Sequence, residues 1–116
     1  MAGNIDLESL YSRVGGDNEL LIEIVDIFLV EFPKKLAKIE RAIKEKDGER
    51  LQQSAHSLKA NVAIFTNGKI KDMAFQLEKI GRENSLSQAN DVYKIVRSEI
   101  KQLELELIAL KKKIVG

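Results

Sequence analysis

Residues 52–68 read Gln52-Gln-Ser-Ala-His-Ser-Leu-Lys-Ala-Asn-Val-Ala-Ile-Phe-Thr-Asn-Gly68 and contain the only histidine of the chain. On a helix of about 100° per residue, the apolar residues of this region collect on one side, which we expect to face the core. They are Leu51, Ala55, Leu58, Val62 and Phe65. His56 lies about 140° from the middle of this apolar side. Its imidazole is therefore predicted to point to solvent.

Two helices are predicted before this stretch. A short helix over about residues 5–14 ends at Gly15-Gly16, because glycine readily adopts the left-handed conformation that ends a helix. A long helix over about 18–46 follows, and its apolar stripe keeps its phase across Pro33. The proline removes a backbone hydrogen bond, so two helices that break at residues 31–32 are the alternative. The unbroken phase favours one helix, kinked or locally loosened at the proline.

Polar turns separate the remaining helices, which are predicted over about residues 48–65, 68–82 and 86–113. Asp17 is a candidate N-cap for the second helix and Asp47 for the third. Asn67 can cap the fourth helix, and Ser85 with Gln88 matches a capping box before the last. Met73 and the phenylalanines fall on apolar stripes, so we expect them to pack in the core.

Four long amphipathic helices joined by short polar turns predict an all-α fold. The expected architecture is an antiparallel up-down four-helix bundle, with the short additional N-terminal helix at one end. No strand-type alternation of useful length competes with this interpretation. A chain of 116 residues can bury one core without disulfides or metals, so a single domain over residues 1–116 is expected.

Composition excludes several classes of protein. The chain has no cysteine, which excludes disulfides, thiolate nucleophiles and thiolate metal sites. Nineteen basic and eighteen acidic residues leave a formal charge of +1, which argues against nucleic-acid binding by phosphate neutralisation. No glycine-rich phosphate loop, membrane-spanning run or signal-peptide pattern is present. These features favour a soluble intracellular domain without direct membrane contact.

An exposed histidine on a helix has four chemical uses: metal ligand, general base, pH switch or covalent nucleophile. Metal binding is disfavoured because the chain has no second histidine and no cysteine. General-base catalysis needs a pocket. A small bundle whose helices each carry a continuous apolar stripe is not expected to provide one. The nucleophile is favoured because Lys59, one turn from His56, can neutralise a phosphoryl group, and the small Ala60 lets a partner approach the ring.

The segment Ala55-His56-Ser57-Leu58-Lys59-Ala60 resembles the hallmark Ala-His-x-Leu-Lys-Gly of the histidine-containing phosphotransfer (HPt) domain family. The order of the predicted helices is also similar, and the resemblance extends over about residues 5–110. Its further matching segments are Val14–Leu21 with a Gly-Gly-Asp sequence, Phe28–Pro33, Ile64–Thr66 and Leu77-Glu78. Ala60 and Thr66 depart from the family, which usually has glycine at both positions.

The resemblance implies a phosphocarrier function. His56 would accept a phosphoryl group from the phosphorylated aspartate of a response-regulator receiver domain, and a second receiver aspartate would later take it. Lys59 would offset the phosphate charge, while Gln53, Gln76 or Glu78 would orient the imidazole.

The same resemblance implies which groups the chain lacks. Mg²⁺ would be supplied by the receiver, so no cofactor or ATP site of the chain's own is expected, and the chain would not be an enzyme. The expected partners are receiver domains and a hybrid sensor histidine kinase. The resemblance implies a cytoplasmic monomer, or the cytoplasmic part of a membrane-bound sensor kinase. The alternative is a catalytically silent adaptor that binds receivers without accepting phosphate.

Overall fold

Helices occupy most of the residues that the computed structural model describes, which are 5–66 and 68–116. No strand is present within these ranges. The helices are α1 (Leu7–Arg13), α2 (Asn18–Lys44), α3 (Gly48–Val62), α4 (Lys69–Glu83) and α5 (Ala89–Val115), with a 3₁₀ turn at Leu86–Gln88. The predicted all-α fold is confirmed.

Helices α2 to α5 form the predicted antiparallel four-helix bundle. α3 packs beside α2 and α4, and α5 also packs beside α2 and α4, so α3 and α5 lie diagonally opposite each other. At one end, the Asp6 N–H donates to the carbonyl oxygen of Phe65 at 2.7 Å, which holds the start of α1 against the end of α3. None of the described helices is long and apolar enough to cross a membrane.

The turn between α1 and α2 follows the prediction. Gly15 and Gly16 have φ angles of +61° and +77°, in the left-handed region where a side chain would be strained. The Asp17 carboxylate then accepts hydrogen bonds from the backbone N–H groups of Glu19 and Leu20 at 3.0 and 3.2 Å. This cap satisfies donors that have no partner inside the helix.

The proline in the second helix does not break it. α2 continues through Pro33, so the prediction of one helix is confirmed and a break at residues 31–32 is excluded. Pro33 is exposed, while its neighbour Phe32 is fully buried. Phe32 packs with Phe28 and Phe65 in an aromatic cluster whose ring centroids are 5.3 to 6.1 Å apart. This cluster joins α2 to the segment after α3.

Two glycines set a close approach between α3 and α4. A Cβ atom on Gly48 would lie 2.8 Å from the carbonyl oxygen of Gly81, and one on Gly81 would lie 2.5 Å from the backbone N of Gln52. Both distances are shorter than real Cβ contacts, so only glycine fits here. The cap before Gly48 is as predicted, because the Asp47 carboxylate accepts from the Arg50 N–H at 3.1 Å. The α3–α4 interface is therefore fixed one to two turns before His56.

Two predicted helix ends are wrong. α3 ends at Val62 and not near Phe65, because the Ile64 and Phe65 N–H groups bond three residues back and tighten the last turn. The Ser85–Gln88 capping box does not form: Ser85 makes no side-chain cap, and the Ala89 N–H is satisfied by the Leu86 carbonyl in a 3₁₀ turn. The predicted cap at Asn67 lies outside the described residues.

Candidate functional site

His56 lies near the middle of α3, on the side away from the core. Its side chain is 64% exposed, whereas Ala55 and Leu58 on the same helix are fully buried. The prediction that the imidazole points to solvent is confirmed. Because α3 packs against both α2 and α4, the ring projects from a helix that is held in the bundle.

The imidazole is held from the neighbouring helix by Glu78. Oε2 of Glu78, on α4, lies 3.0 Å from Nδ1 of His56. A carboxylate only accepts hydrogen bonds, so Nδ1 carries the proton in this contact. In the neutral ring the lone pair is then on Nε2, the nitrogen that Glu78 does not contact. The geometry therefore leaves Nε2 as the ring nitrogen with a lone pair free to react.

Glu78 is almost completely buried, with a side-chain exposure of 7%, and three cationic or ionisable side chains surround it. Lys59 Nζ lies 2.8 Å from Oε1, and Arg82 lies 3.4 Å from Oε2, which His56 also contacts. Burial raises the pKa of this carboxyl, but Lys59 and His56 lower it by more, so the net pKa is below its ordinary value of 4.5. Glu78 is therefore ionised at neutral pH.

Lys59 is one turn from His56 on α3, and its ammonium group is paired within the protein. Its ammonium is paired with Glu78, and it also lies 4.7 Å from the ring centroid of Phe75 on α4. A cation at this distance from an aromatic face is attracted to it. Lys59 and the imidazole thus contact the same buried carboxylate, that of Glu78.

Phe75 corrects a sequence prediction. The sequence predicts it in the core, but 44% of it is exposed. On a helix of about 100° per residue it lies about 100° from Ala74 and about 160° from Leu77, outside the buried side of α4. Its exposed ring supports Lys59 at the edge of the site. Arg82 was not predicted from the sequence, although its spacing of four residues from Glu78 is a standard signal for an ion pair on one helix face.

The other candidate residues do not contact the imidazole by any hydrogen bond seen among the described residues. Gln53 and Ala60 are exposed on α3, one turn before and after His56. Gln76 is exposed on α4, but it is two residues from Glu78 and so projects from a different side of that helix. Glu78 is the one of the three proposed orienting residues that reaches the ring.

The Hpt domain family model matches residues 23–112, well over half of the chain and the part that contains His56, Lys59 and Glu78. The chain belongs to the Hpt domain family. Hpt domains are histidine phosphotransfer modules of two-component signalling, and the family implies interaction with response-regulator receiver domains. They are phosphocarriers and not enzymes with an ATP site of their own.

A solved Hpt structure has the same fold. The crystal structure of histidine-containing phosphotransfer protein B (HptB) from Pseudomonas aeruginosa PAO1 matches with a TM-score of 0.89, covering 97% of this chain and 98% of that chain at 18% sequence identity. The likeness at this identity is a likeness of fold. Among curated protein sequences, none matches this chain.

The two departures from the usual Hpt glycines have different surroundings. Ala60 is exposed, so its methyl group is accessible to a protein that docks over His56. Thr66 is buried, and its Oγ1 accepts a hydrogen bond from the Gly68 N–H at 3.1 Å in the connection to α4. In this Hpt domain Thr66 therefore holds the connection between the two helices that form the site.

Proposed function

We propose that this chain carries a phosphoryl group on Nε2 of His56 between the aspartates of receiver domains in a phosphorelay. The observation that carries the proposal is the contact between Nδ1 of the exposed His56 and the buried, ionised Glu78 in an Hpt domain. A surface histidine without a task does not need a buried carboxylate to hold its orientation. Burying that carboxylate is costly unless it is paired, and the imidazole is one of its partners, together with Lys59 and Arg82.

The transfer step makes and breaks bonds only between groups of the two proteins. The Nε2 lone pair attacks the phosphorus of the aspartyl phosphate, the P–N bond forms, and the P–O bond to the aspartate breaks. The electrons of that bond leave with the carboxylate. The ring keeps its Nδ1 proton and gains positive charge, which the carboxylate of Glu78 stabilises through a charge-assisted hydrogen bond. Attack by a second receiver aspartate on the phosphohistidine reverses these steps.

Lys59 has two roles in this proposal. It keeps the carboxylate of Glu78 ionised, and it supplies positive charge one turn from a phosphoryl group that carries close to two negative charges. Both roles use the same ammonium, so Lys59 and Glu78 act as a pair.

We place Mg²⁺ with the receiver. Among residues 5–66 and 68–116, no group of three or more His, Asp or Glu side chains is arranged to hold a metal ion. A cation of this kind supplies charge stabilisation for the transferring phosphoryl group when it is bound by carboxylates of the partner.

The test is the chemistry of the phosphorylated protein. Receivers of the source organism, labelled with radioactive phosphate, are incubated with the wild-type chain and with His56→Gln. We expect acid-labile, base-stable label on the wild type and none on the variant. Label on His56→Gln would refute the assignment of His56. Binding of receivers without any label would identify the silent adaptor instead.

A further inference from the structure

A cleft between α2 and α3 is rich in cations. It has a volume of about 450 Å³, and its charged lining residues are Lys35, Lys38, Arg41 and Arg50 with one carboxylate, Glu45. This lining has an excess of three positive charges, whereas the whole chain has a net charge of +1. So local a concentration of cations favours an anionic occupant.

The cations of this cleft are only weakly neutralised by the chain itself. Arg41 pairs with Glu45 at 3.1 Å and Arg50 with Asp47 at 3.5 Å, but all four side chains are exposed, where ion pairs are weak. Lys38 has no carboxylate within ion-pair distance among the described residues. A partner that brings carboxylates can therefore bind these groups without breaking a strong internal contact.

The cleft opens beside the candidate phosphoacceptor. Gln53 and Ser57 line it, three residues before and one residue after His56 on α3. Lys35 reaches from α2 and donates a hydrogen bond to Oγ of Ser57 at 2.8 Å, which fixes an ammonium group next to that position. A protein that docks over His56 would cover the nearby end of the cleft.

We infer that this cleft docks a carboxylate-bearing segment of the receiver domain that exchanges phosphoryl groups with His56. The inference rests on the proposed function and names the surface that selects the partner. A receiver that holds Mg²⁺ beside its phosphorylated aspartate must have carboxylates around the reacting group, because Mg²⁺ binds oxygen ligands. An acidic surface aimed at His56 is attracted by the cleft. Charges at the rim of an interface mainly raise the association rate and select the partner.

The experiment separates docking from chemistry. The wild type, Lys38→Glu, Arg50→Glu and the double variant are loaded at His56 with phosphoramidate, which needs no protein partner. Transfer from the purified phosphoproteins is then measured to the receiver that accepts fastest in a survey of the organism's receivers. Lys94→Glu is the matched control for each single variant, and Lys94→Glu with Lys112→Glu for the double variant. These controls make the same charge changes at exposed positions of α5, diagonally opposite α3.

We expect equal loading of all variants, and kcat/KM for transfer about tenfold or more lower in the double variant at low ionic strength. The loss should shrink between ionic strengths of about 0.01 M and about 1 M, where the Debye length falls from about 30 to about 3 Å. Lys94→Glu, alone and combined with Lys112→Glu, should transfer like the wild type. The cause would then be the cleft charge and not the total charge of the chain.

Other outcomes overturn the inference in distinguishable ways. Unimpaired transfer by the double variant, or an equal loss in Lys94→Glu, rejects the cleft alone. If inorganic phosphate, added at constant ionic strength, slows transfer from the wild type as much as the double substitution does, the cleft is a small-anion site. That result rejects receiver docking. Failure of phosphoramidate to load wild-type His56 removes the proposed function, and this inference with it.

Discussion

Nδ1 of His56 and Oε2 of Glu78 lie 3.0 Å apart across the interface of α3 and α4, one residue largely exposed and the other almost completely buried. The exposed ring is available to a partner, while the buried carboxylate is paired within the protein. Under the proposed function Glu78 is a positioning residue, since it would act on Nε2 through the other side of the ring.

Replacing Glu78 by Gln should slow phosphorylation of His56. The amide oxygen can still accept from Nδ1, but the charge that stabilises the developing imidazolium is lost. A hydrogen bond to a charged group contributes about 1.5–3 kcal/mol, which corresponds to about a tenfold to hundredfold loss in rate. Phosphoramidate loading measures this without a partner. A rate unchanged from wild type, with native circular dichroism, would show that Glu78 only packs.

Lys59→Met should slow the same reaction, and the effect should depend on Glu78. Methionine has a similar length and can keep the contact with Phe75, so the substitution mainly removes the charge. If Lys59 acts partly by keeping Glu78 in place, Lys59→Met will lower the loading rate by a smaller factor in the Glu78→Gln background than in the wild type. The four rates of this double-mutant cycle are the measurement. Fully additive effects would assign Lys59 to the phosphoryl group alone.

The stability of the protein should depend on pH through Glu78 in acid. The folded-state pKa of this carboxyl is lowered below its ordinary value of 4.5. Its contribution to stability is therefore present above that value and is lost as the pH falls through the folded-state pKa. Chemical denaturation of Glu78→Gln between neutral and strongly acidic pH should show a smaller loss of stability than the wild type.

Glu104 provides a control of opposite sign. Burial raises the pKa of this carboxyl, an effect that Lys101 only partly offsets. Its neutral form is thus favoured in the folded state, so its contribution is present at low pH and is lost as the pH rises through the folded-state pKa. Glu104→Gln should not reduce stability at neutral pH, whereas Glu78→Gln should. Equal losses in both variants would contradict the assigned signs.

Helical periodicity was sufficient to predict the bundle and the exposed His56, because both depend on spacing along one helix. It could not choose between Gln53, Gln76 and Glu78 as the partner of the ring. That choice depends on how α3 docks on α4, and no pattern within either helix specifies the docking. The exposure of Phe75 could not be predicted for the same reason. Its position borders the apolar stripe of α4, and only the docking of α3 on α4 places its ring at the edge of the site.

The docking of α3 on α4 can itself be tested at Gly81. A Cβ atom there would lie 2.5 Å from the backbone N of Gln52 and 2.6 Å from the carbonyl oxygen of Gly48, so Gly81→Ala must push the two helices apart. Overpacking of this kind costs about 1–3 kcal/mol. Because Gln52 is one turn before His56, the displacement should also lengthen the contact with Glu78.

Gly81→Ala should therefore lower both the free energy of unfolding and the rate of phosphoramidate loading at His56, under conditions where the variant is still folded. Gln76→Ala is the control: it is exposed on the same helix, and its stability should change by no more than about 0.5 kcal/mol. If Gly81→Ala loses stability but is loaded at the wild-type rate, the positions of α3 and α4 are not what sets the reactivity of the imidazole. A loss of both would connect the glycine contact to the chemistry, through a shift of the carboxylate relative to Nδ1.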